Sequence, residues 1–335
     1  MRRTNGILLA SLAVSALHPA TALAQSEAPS KRGLAYHGDD HAADSRLLTS
    51  ERSLVRWYYT WSTWPAQGLN GSVAFVPLVH GVKDAEDPGL ASRLGQLPGS
   101  STHLLTFNEP DGTTSSGGSS IDPEDAAKAY LEHLAPLRDD GDGTRRWNIS
   151  HPVVTGSPQG IEWLRKFNES CHAIDRDAGC PADFVAVHWY GDAAGLKDHL
   201  GALRAFYGGG EGDDDDDAPP DLRFWITEMA LPQQSAGATL AMMNESLAYL
   251  DGLDYVEAYA WFGAFREDEA NAWTGDSVSL LDGDGGLTDL GALYLGGEER
   301  GFEAGQKGEG NLAGSLSPAR PLLWGGILAA LAALW

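Results

Sequence analysis

The chain has 335 residues, of which 42% are hydrophobic, so it is long enough for one large domain or two of ordinary size. It carries 23 lysines and arginines against 47 aspartates and glutamates, a formal net charge of -24 that would repel a nucleic-acid duplex. Nucleic acid is therefore excluded as an expected partner. The 11 tryptophans, 10 tyrosines and 9 phenylalanines suit neutral, hydroxyl-rich ligands better than phosphates.

The amino terminus reads as a secretory signal. Arg2 and Arg3 precede an apolar stretch at 6–17, and small residues end the segment at Ala24. This pattern predicts a signal peptide over 1–24, with cleavage after Ala24. A retained membrane anchor is the alternative, and the apolar stretch is too short to favour it.

The carboxyl terminus resembles a signal for a glycosylphosphatidylinositol (GPI) anchor. Small residues at 308–315 lead through a polar segment to an apolar tail at 322–335 that ends the chain. We therefore expect a domain over 25–300, a linker with the attachment region at 301–321, Asn311 as attachment site and a removable tail. A tail-anchored protein is the alternative, and it fits poorly with an amino-terminal signal.

Secretion fits two further features of the sequence. The chain has four Asn-x-Ser glycosylation sequons, at Asn70, Asn148, Asn168 and Asn244. Its only two cysteines, Cys171 and Cys180, lie close together in a chain that is expected to enter an oxidising compartment. They predict one disulfide that closes a short loop, because two cysteines alone do not make a metal site.

Strand and helix patterns alternate between these ends. The β-rich runs lie at 31–36, 54–61, 72–79, 102–107, 151–156, 183–190, 222–227 and 255–262. Helical patterns begin at Asp122, Gly160, Gly195 and Gly237, with a last one after Leu287, and the second crossover fits this scheme least well. Eight such repeats predict a single-domain α/β fold, a (β/α)8 TIM barrel. An open doubly wound sheet is the alternative, but no glycine-rich phosphate loop follows a strand.

Two carboxylates stand at the ends of predicted strands, where a barrel has its active site. The fourth strand leads into Glu109, which Pro110 biases away from helical geometry, and the seventh leads into Glu228. Each alone could be a helix-capping or ion-paired acid. Strands four and seven lie across a closed barrel, so the two carboxylates could approach to roughly 5 Å, the separation of a retaining glycosidase pair.

These residues carry a family resemblance. N-E-P-D at 108–111 and W-I-T-E at 225–228 resemble clan A of the glycoside hydrolases. The segments KRGLAY, WYYTW, FVPLVHG, DFVAVHWYG and YAWFG make the chain, over roughly 31–297, similar to glycoside hydrolase family 128, endo-β-1,3-glucanases of the glycosyl hydrolase catalytic core type. Thr60 and His80 depart from the family, which usually has Asn and commonly Trp at these positions, so they put subsite contacts in question.

The resemblance implies a retaining mechanism on β-1,3-glucan. Glu109 would be the acid/base, with a raised pKa, and Glu228 the ionised nucleophile. Asn108 would contact the sugar 2-hydroxyl. No metal and no cofactor are expected, and the acidic run at 213–217 is interpreted as a solvated loop.

Other residues near strand ends are candidates for substrate binding: Tyr36, Trp57, Tyr59, Trp61, His188, Tyr190 and Trp261. His188 and Tyr190 share one face of a strand, so Tyr190 could donate a hydrogen bond to Glu228. Trp261 is placed to stack under the sugar at the cleavage point, with packing in the barrel wall as the alternative. The run WYYTW also suits strand packing, so only some of its side chains can face a ligand.

The sequence thus predicts a monomeric, secreted endo-β-1,3-glucanase, attached to the plasma membrane or cell wall only through a GPI lipid. Two alternatives stay open. One is a barrel that binds or senses wall glucan without turnover, and the other is a clan A hydrolase of β-1,6-glucan or mannan.

Overall fold

The computed structural model describes residues 29–38, 41–69, 71, 73–139, 145–208 and 222–309. Several predictions concern residues outside these ranges: the signal at 1–24, the sequon at Asn70, the acidic run at 213–217 and the anchor region with Asn311. Across the described ranges, no helix has both the length and the apolar character that crossing a bilayer requires.

The described residues form one sheet of parallel strands. These are β1 (Arg32–Ala35), β2 (Trp57–Tyr59), β3 (Ala74–Phe75), β4 (Leu78–Val79), β5 (His103–Asn108), β6 (Asn148–Val153), β7 (Phe184–Tyr190), β8 (Arg223–Ala230) and β9 (Val256–Trp261). Their order is β3-β2-β1-β9-β8-β7-β6-β5-β4. All eight predicted runs overlap a strand, and the run at 72–79 contains two, although the run at 151–156 covers only the second half of β6. Because β3 and β4 lie at opposite ends of this order but only Val76 and Pro77 separate them, the sheet curls into a TIM-like α/β fold.

Helices follow most of the strands. They are α1 (Ala42–Leu48), α2 (Val82–Ala85), α3 (Leu90–Gly95), α4 (Pro123–Ala129), α5 (Pro158–Ile174), α6 (Ala193–Gly208), α7 (Ala236–Asp251) and α8 (Asp289–Leu295). The five predicted helical patterns correspond to α4–α8, and Thr288 caps α8 by accepting a hydrogen bond from the Gly291 amide. In the part of the second crossover that the structure describes, between β2 and β3, the helical structure is a 3-10 turn at Gln67–Leu69, which explains the poor helical pattern.

Alternating strand residues divide the core into two layers. The inner core lies on the concave face and consists of strand and strand-edge residues: Ala35, Trp57, Tyr59, Val76, Leu78, Leu105, Val153, Phe184, Ala186, Trp225, Ala258 and Ala260. The outer core lies between the sheet and the helices and includes Leu164, Leu196 and Leu247 from α5, α6 and α7. A side chain at the carboxyl end of a strand therefore reaches the active-site end only if it points to the inner face.

A β-bulge turns Glu228 to the inner face. Val187 pairs with Ile226 but His188 pairs with Glu228, so Thr227 is an extra residue in β8. Trp225 belongs to the inner core and Ile226 to the outer core. Strict alternation would place Glu228 outward, and the extra residue reverses this.

The predicted disulfide is present. Cys171, near the end of α5, is bonded to Cys180, which precedes β7. The bond is remote from the carboxyl ends of the strands, because α5 runs back towards their amino ends.

Candidate active site

Glu228 is buried at the end of β8 and accepts hydrogen bonds on both of its oxygens. Tyr59 Oη donates to Oε1 over 2.8 Å, and Trp61 Nε1 donates to the same oxygen over 2.7 Å. Tyr190 Oη donates to Oε2. Burial, followed by the charge of Glu228, raises the pKa of Tyr59 and Tyr190 well above the usual range. Both phenols therefore stay protonated and serve as donors to a carboxylate.

Glu109 follows β5 on a strained backbone. Phe107 and Glu109 have positive φ angles of 38° and 40°, a conformation that residues other than glycine rarely adopt. The Glu109 amide donates to Val153 O over 2.7 Å, which fixes the turn against β6. The loop that follows packs closely, because a Cβ atom at Gly118 would lie 2.6 Å from the Glu109 carbonyl oxygen. The loop thus holds Glu109 in a conformation that the isolated chain would avoid.

His188, completely buried on β7, lies between the two carboxylates. Its Nδ1 is 2.8 Å from Glu109 Oε1, and its Nε2 is 3.3 Å from Glu228 Oε1 without hydrogen-bond geometry. One oxygen of each carboxylate and one His188 nitrogen lie within 4.8 Å of one another. The two acids are therefore close enough to act on one bond.

Glu109 and His188, which are joined by the 2.8 Å contact, share a proton. Burial raises the pKa of Glu109, and the hydrogen bond and charge of His188 offset only part of this. Burial would lower the pKa of His188, but the charge of Glu228 and the contact with Glu109 outweigh it and raise the pKa. The Glu109–His188 pair therefore keeps a proton at a pH where an exposed glutamate is ionised.

The same three groups are the cluster of the described residues that could hold a metal ion. Carboxylates and imidazole are suitable ligand types. Both Glu228 oxygens, however, already accept hydrogen bonds from Tyr59, Trp61 and Tyr190, and a cation would have to displace these donors. These three hydrogen-bond donors suit a Glu228 carboxylate that reacts with substrate better than one that binds a metal ion.

Comparison with known proteins identifies the family. The Glycosyl hydrolase catalytic core family matches residues 33–294, which is most of the chain. The chain belongs to this family. It is a glycoside hydrolase, and the resemblance to glycoside hydrolase family 128 is confirmed.

Individual relatives agree with this assignment. The hydrolase is 32% identical over 280 residues to Alkali-sensitive linkage protein 1 of Schizosaccharomyces pombe, covering 81% of this chain and 45% of the relative. The chain thus spans less than half the length of that relative. A family 128 subgroup II endo-β-1,3-glucanase from Pseudomonas viridiflava superposes with a TM-score of 0.62 at 26% identity, covering 80% and 97% of the two chains. A subgroup VI exo-β-1,3-glucanase from Aureobasidium namibiae shares the fold, with a TM-score of 0.62, 21% identity and coverage of 81% and 97%.

The inward side chains of β2 and of the residues just after it lie at increasing distances along the hydrolase's inner face, towards the carboxyl ends of the strands. Trp57 lies deep in the inner core, and its Nε1 donates to Lys31 O at the start of β1. Tyr59 and Trp61, further along, reach Glu228. Of the three predicted contacts in this run, two therefore lie at the carboxylates, while Trp57 packs as core.

Tyr36 also packs away from the carboxylates. It follows Ala35, an inner residue, so alternation turns its ring to the outer core. Its hydroxyl lies 2.8 Å from Ser45 Oγ, and the side chain is buried. The predicted sugar contact has no support in this placement.

Trp261 is completely buried in the outer core, so wall packing describes it rather than stacking under a sugar. Its Nε1 donates to Val278 O. The cause is a second bulge: Phe224 pairs with Val256 but Trp225 pairs with Ala258, which leaves one extra residue in β9 and turns Trp261 outward.

Phe262 takes the inward position instead. Its ring lies 5.9 Å from Trp61 and 5.7 Å from Tyr190, beside the two donors to Glu228. Sequence reasoning missed this residue. The signal was the pair Ala258 and Ala260, which share the inner face with Phe262 once the register is known.

Asn108 lies next to Glu109 and is nearly buried. Its Nδ2 donates to Gly117 O over 3.1 Å, and His80 Nε2 lies 3.1 Å from the same oxygen. Among the described residues, nothing donates to Asn108 Oδ1, which is itself buried. A contact between Asn108 and the sugar 2-hydroxyl stays a prediction.

The sequons of the hydrolase differ in accessibility. Asn168 on α5 and Asn244 on α7 are exposed, and Asn148 at the start of β6 is half-buried. Glycosylation of these residues stays a prediction.

Proposed function

We propose that the protein is a retaining endo-β-1,3-glucanase with Glu109 as acid/base and Glu228 as nucleophile. The observation that carries this is a pair of carboxylates, Glu228 buried and Glu109 partly buried, with oxygens within 4.8 Å of each other and different hydrogen-bond partners. That spacing is close to the roughly 5 Å of retaining glycosidases, where no room is left for a water between the acids. The name of the Pseudomonas viridiflava relative supplies the linkage, β-1,3-glucan.

Each step has a residue suited to it. Glu228, whose two oxygens accept hydrogen bonds from Tyr59, Trp61 and Tyr190, attacks the anomeric carbon while Glu109 protonates the departing glycosidic oxygen. A covalent glycosyl ester on Glu228 results. Glu109, now ionised, removes a proton from the incoming water, and the water oxygen displaces Glu228 on the same face that the leaving group occupied. His188 takes part by holding the proton shared with Glu109.

We further propose that the sheet closes into an eight-stranded barrel in which β3 and β4 are one strand interrupted at Pro77. Val76 N donates to Tyr58 O on the β2 side over 2.9 Å, and Pro77 O accepts from Leu105 N on the β5 side over 2.9 Å. The segment thus bonds to both neighbours, and Pro77, which has no N–H, accounts for the interruption.

The cellular setting is proposed from the sequence. The protein would be a monomer that is secreted, glycosylated, and held at the membrane or wall through a GPI lipid. The disulfide between Cys171 and Cys180 supports passage through an oxidising compartment.

The test uses the full chain secreted from a eukaryotic host and linear β-1,3-gluco-oligosaccharides of increasing length. We expect internal cleavage, a β-configured product at the first time points by NMR, and near-complete loss of cleavage in Glu109→Gln and Glu228→Gln. Glu162→Gln, an exposed glutamate on α5, serves as the matched control. An α-configured first product would exclude the retaining mechanism, terminal products alone would exclude endo action, and binding without cleavage would indicate a glucan-binding protein.

A further inference from the structure

Trp273 is an exposed aromatic residue on the loop that follows β9, at the carboxyl end of the strands. Large exposed apolar side chains among the described residues are few: Trp64, Ile174 and Trp273. The Trp273 side chain is 41% exposed, although water contact with an indole is unfavourable. The exposed part of the ring is free to contact a ligand.

The loop that carries Trp273 is tightly constructed. Asn271 Oδ1 accepts hydrogen bonds from the Trp273 and Thr274 amides over 3.0 and 2.9 Å. Gln233, on the loop after β8, donates through Nε2 to Ala272 O over 2.7 Å and to Trp273 O over 2.9 Å. The Gln233 amide also donates to Thr274 O over 3.0 Å.

Gln233 makes these contacts at a backbone cost. Its φ angle is 57°, in the region that glutamine rarely adopts. The strain is accepted at a position where three hydrogen bonds join two loops. Through these hydrogen bonds, the exposed Gln233 fixes the orientation of the loop that carries Trp273.

Trp273 continues a row of aromatic rings that starts at the candidate nucleophile. Trp61 and Tyr190 both donate to Glu228, and the Phe262 ring lies near both of their rings. The Trp273 ring lies 4.6 Å from Tyr190 at an interplanar angle of 70°. A near-perpendicular contact covers at most one face of the indole, so the other face stays accessible.

We propose that Trp273 is a sugar-stacking residue one aromatic ring beyond the cleavage point, and that Gln233 is its positioning residue. The ligand is the apolar face of a glucopyranose unit in the bound chain, which packs on an indole face as a neutral, flat surface. This inference rests on the proposed glucanase function and adds a binding contact to it. Trp64 differs, because Arg93 already lies 5.0 Å above its ring.

The first experiment measures binding separately from turnover. In the Glu228→Gln background, we expect Trp273→Ala to raise the Kd for β-1,3-glucohexaose about tenfold by calorimetry, as for loss of one stacking contact. In the otherwise wild-type chain, the same substitution raises KM by about as much and changes kcat less than about twofold, the pattern of lost uniform binding. Trp273→Phe keeps an aromatic face and restores most of the affinity.

The matched control is Ile174→Ala, which removes a comparably exposed apolar side chain from the carboxyl end of α5. We expect it to leave Kd, KM and kcat unchanged. Melting curves of all variants confirm that the exposed substitutions leave the fold intact.

The second experiment tests the positioning role by a double-mutant cycle. Gln233→Ala alone should raise KM about threefold to tenfold with kcat unchanged, because the Trp273 loop loses two side-chain bonds. Added to Trp273→Ala, it should raise KM no further. Additive effects would mean that Gln233 acts independently of Trp273.

The outcomes separate this inference from the proposed function. If the parent chain cleaves and binds the hexaose but Trp273→Ala and Trp273→Phe bind equally well, the stacking role is wrong and the glucanase assignment stands. If the parent neither cleaves nor binds it, the assignment fails and the sugar contact fails with it.

Discussion

The ends of β5 and β8 present the same side chain, glutamate, in two different ways. Glu228 stands on an extended strand that a bulge has turned inward, and three donors surround its oxygens. Glu109 stands on a strained turn and has one close partner, His188, with burial raising its pKa. The local surroundings, rather than the residue type, thus distinguish an acid whose pKa is raised by burial from one whose oxygens are held by hydrogen-bond donors.

The largest expected effect distinguishes the roles of Glu109 and Glu228 by using a substrate whose leaving group needs no protonation. With an aryl β-glucoside whose phenol leaves unaided, Glu109→Ala should form the glycosyl-enzyme at a rate within about tenfold of wild type, because no proton need be donated. Glu228→Ala should lose roughly 10⁴-fold on the same substrate, because no nucleophile remains.

Burst kinetics measure the rate at which the glycosyl-enzyme forms. Added azide can take the place of the removed carboxylate, and the anomeric configuration of the azide product identifies which carboxylate was removed. Azide replacing Glu228 gives an α-glycosyl azide, and azide replacing Glu109 gives a β-glycosyl azide. The reverse pattern would exchange the two roles.

A second test removes one donor from Glu228. Tyr190→Phe should lower kcat by about 10- to 100-fold, because a hydrogen bond to a charged group contributes about 1.5–3 kcal/mol and fixes the attacking oxygen. Tyr207→Phe, at a half-buried tyrosine on α6 whose hydroxyl lies within hydrogen-bond distance of His151, is the matched control. Equal losses in the two variants, measured on glucan at saturating concentration, would mean that the effect is one of packing.

A third test moves the turn that carries Glu109. The Cβ atom of Gly118→Ala must displace the Glu109 carbonyl oxygen or the neighbouring Gly112, so the acid shifts. We expect kcat on glucan to fall about tenfold, while the aryl glucoside is cleaved as before. Gly201→Ala on α6, where a Cβ atom meets open space, should leave both rates unchanged. A loss on both substrates would show that the turn also supports Glu228.

The smallest effect concerns pH. The alkaline limb of kcat/KM follows loss of the proton from the Glu109–His188 pair, so it lies above the pH range of an exposed glutamate. Because His188 lowers the pKa of Glu109, His188→Leu should move this limb to higher pH. A limb that stays in place would mean that another group sets it, and the Glu109→Gln profile on the aryl glucoside would then identify whether Glu109 is that group.

Sequence patterns predict those features of this molecule that are determined by residues close together in the chain. Apolar runs predicted the strands, and Pro110 and the strand ends pointed to Glu109 and Glu228. The spacing of His188 and Tyr190 predicted that they share a face, and Tyr190 does bond to Glu228. These features follow from local geometry, which a short window of sequence contains.

What the sequence could not predict depends on how two strands pair. The extra residues in β8 and β9 exist only relative to a neighbouring strand, so no pattern within either strand reveals them. For the same reason the sequence did not indicate that Phe262, and not Trp261, points to the inner face. The Gln233 contacts join loops that are 39 and 40 residues apart, and the short helices α1–α3 have too few turns to show a period.

The bulge at Thr227 concerns the path of the strand more than the identity of its inward residues. Thr227 has no counterpart of its own on β7, because Ile226 pairs with Val187 and Glu228 pairs with His188. Deleting Thr227 would place Glu228 directly after the outward Ile226, so strict alternation would keep Glu228 on the inner face and opposite His188. The extra residue therefore bends β8 locally, while the pairing with His188 fixes the inward direction of the candidate nucleophile.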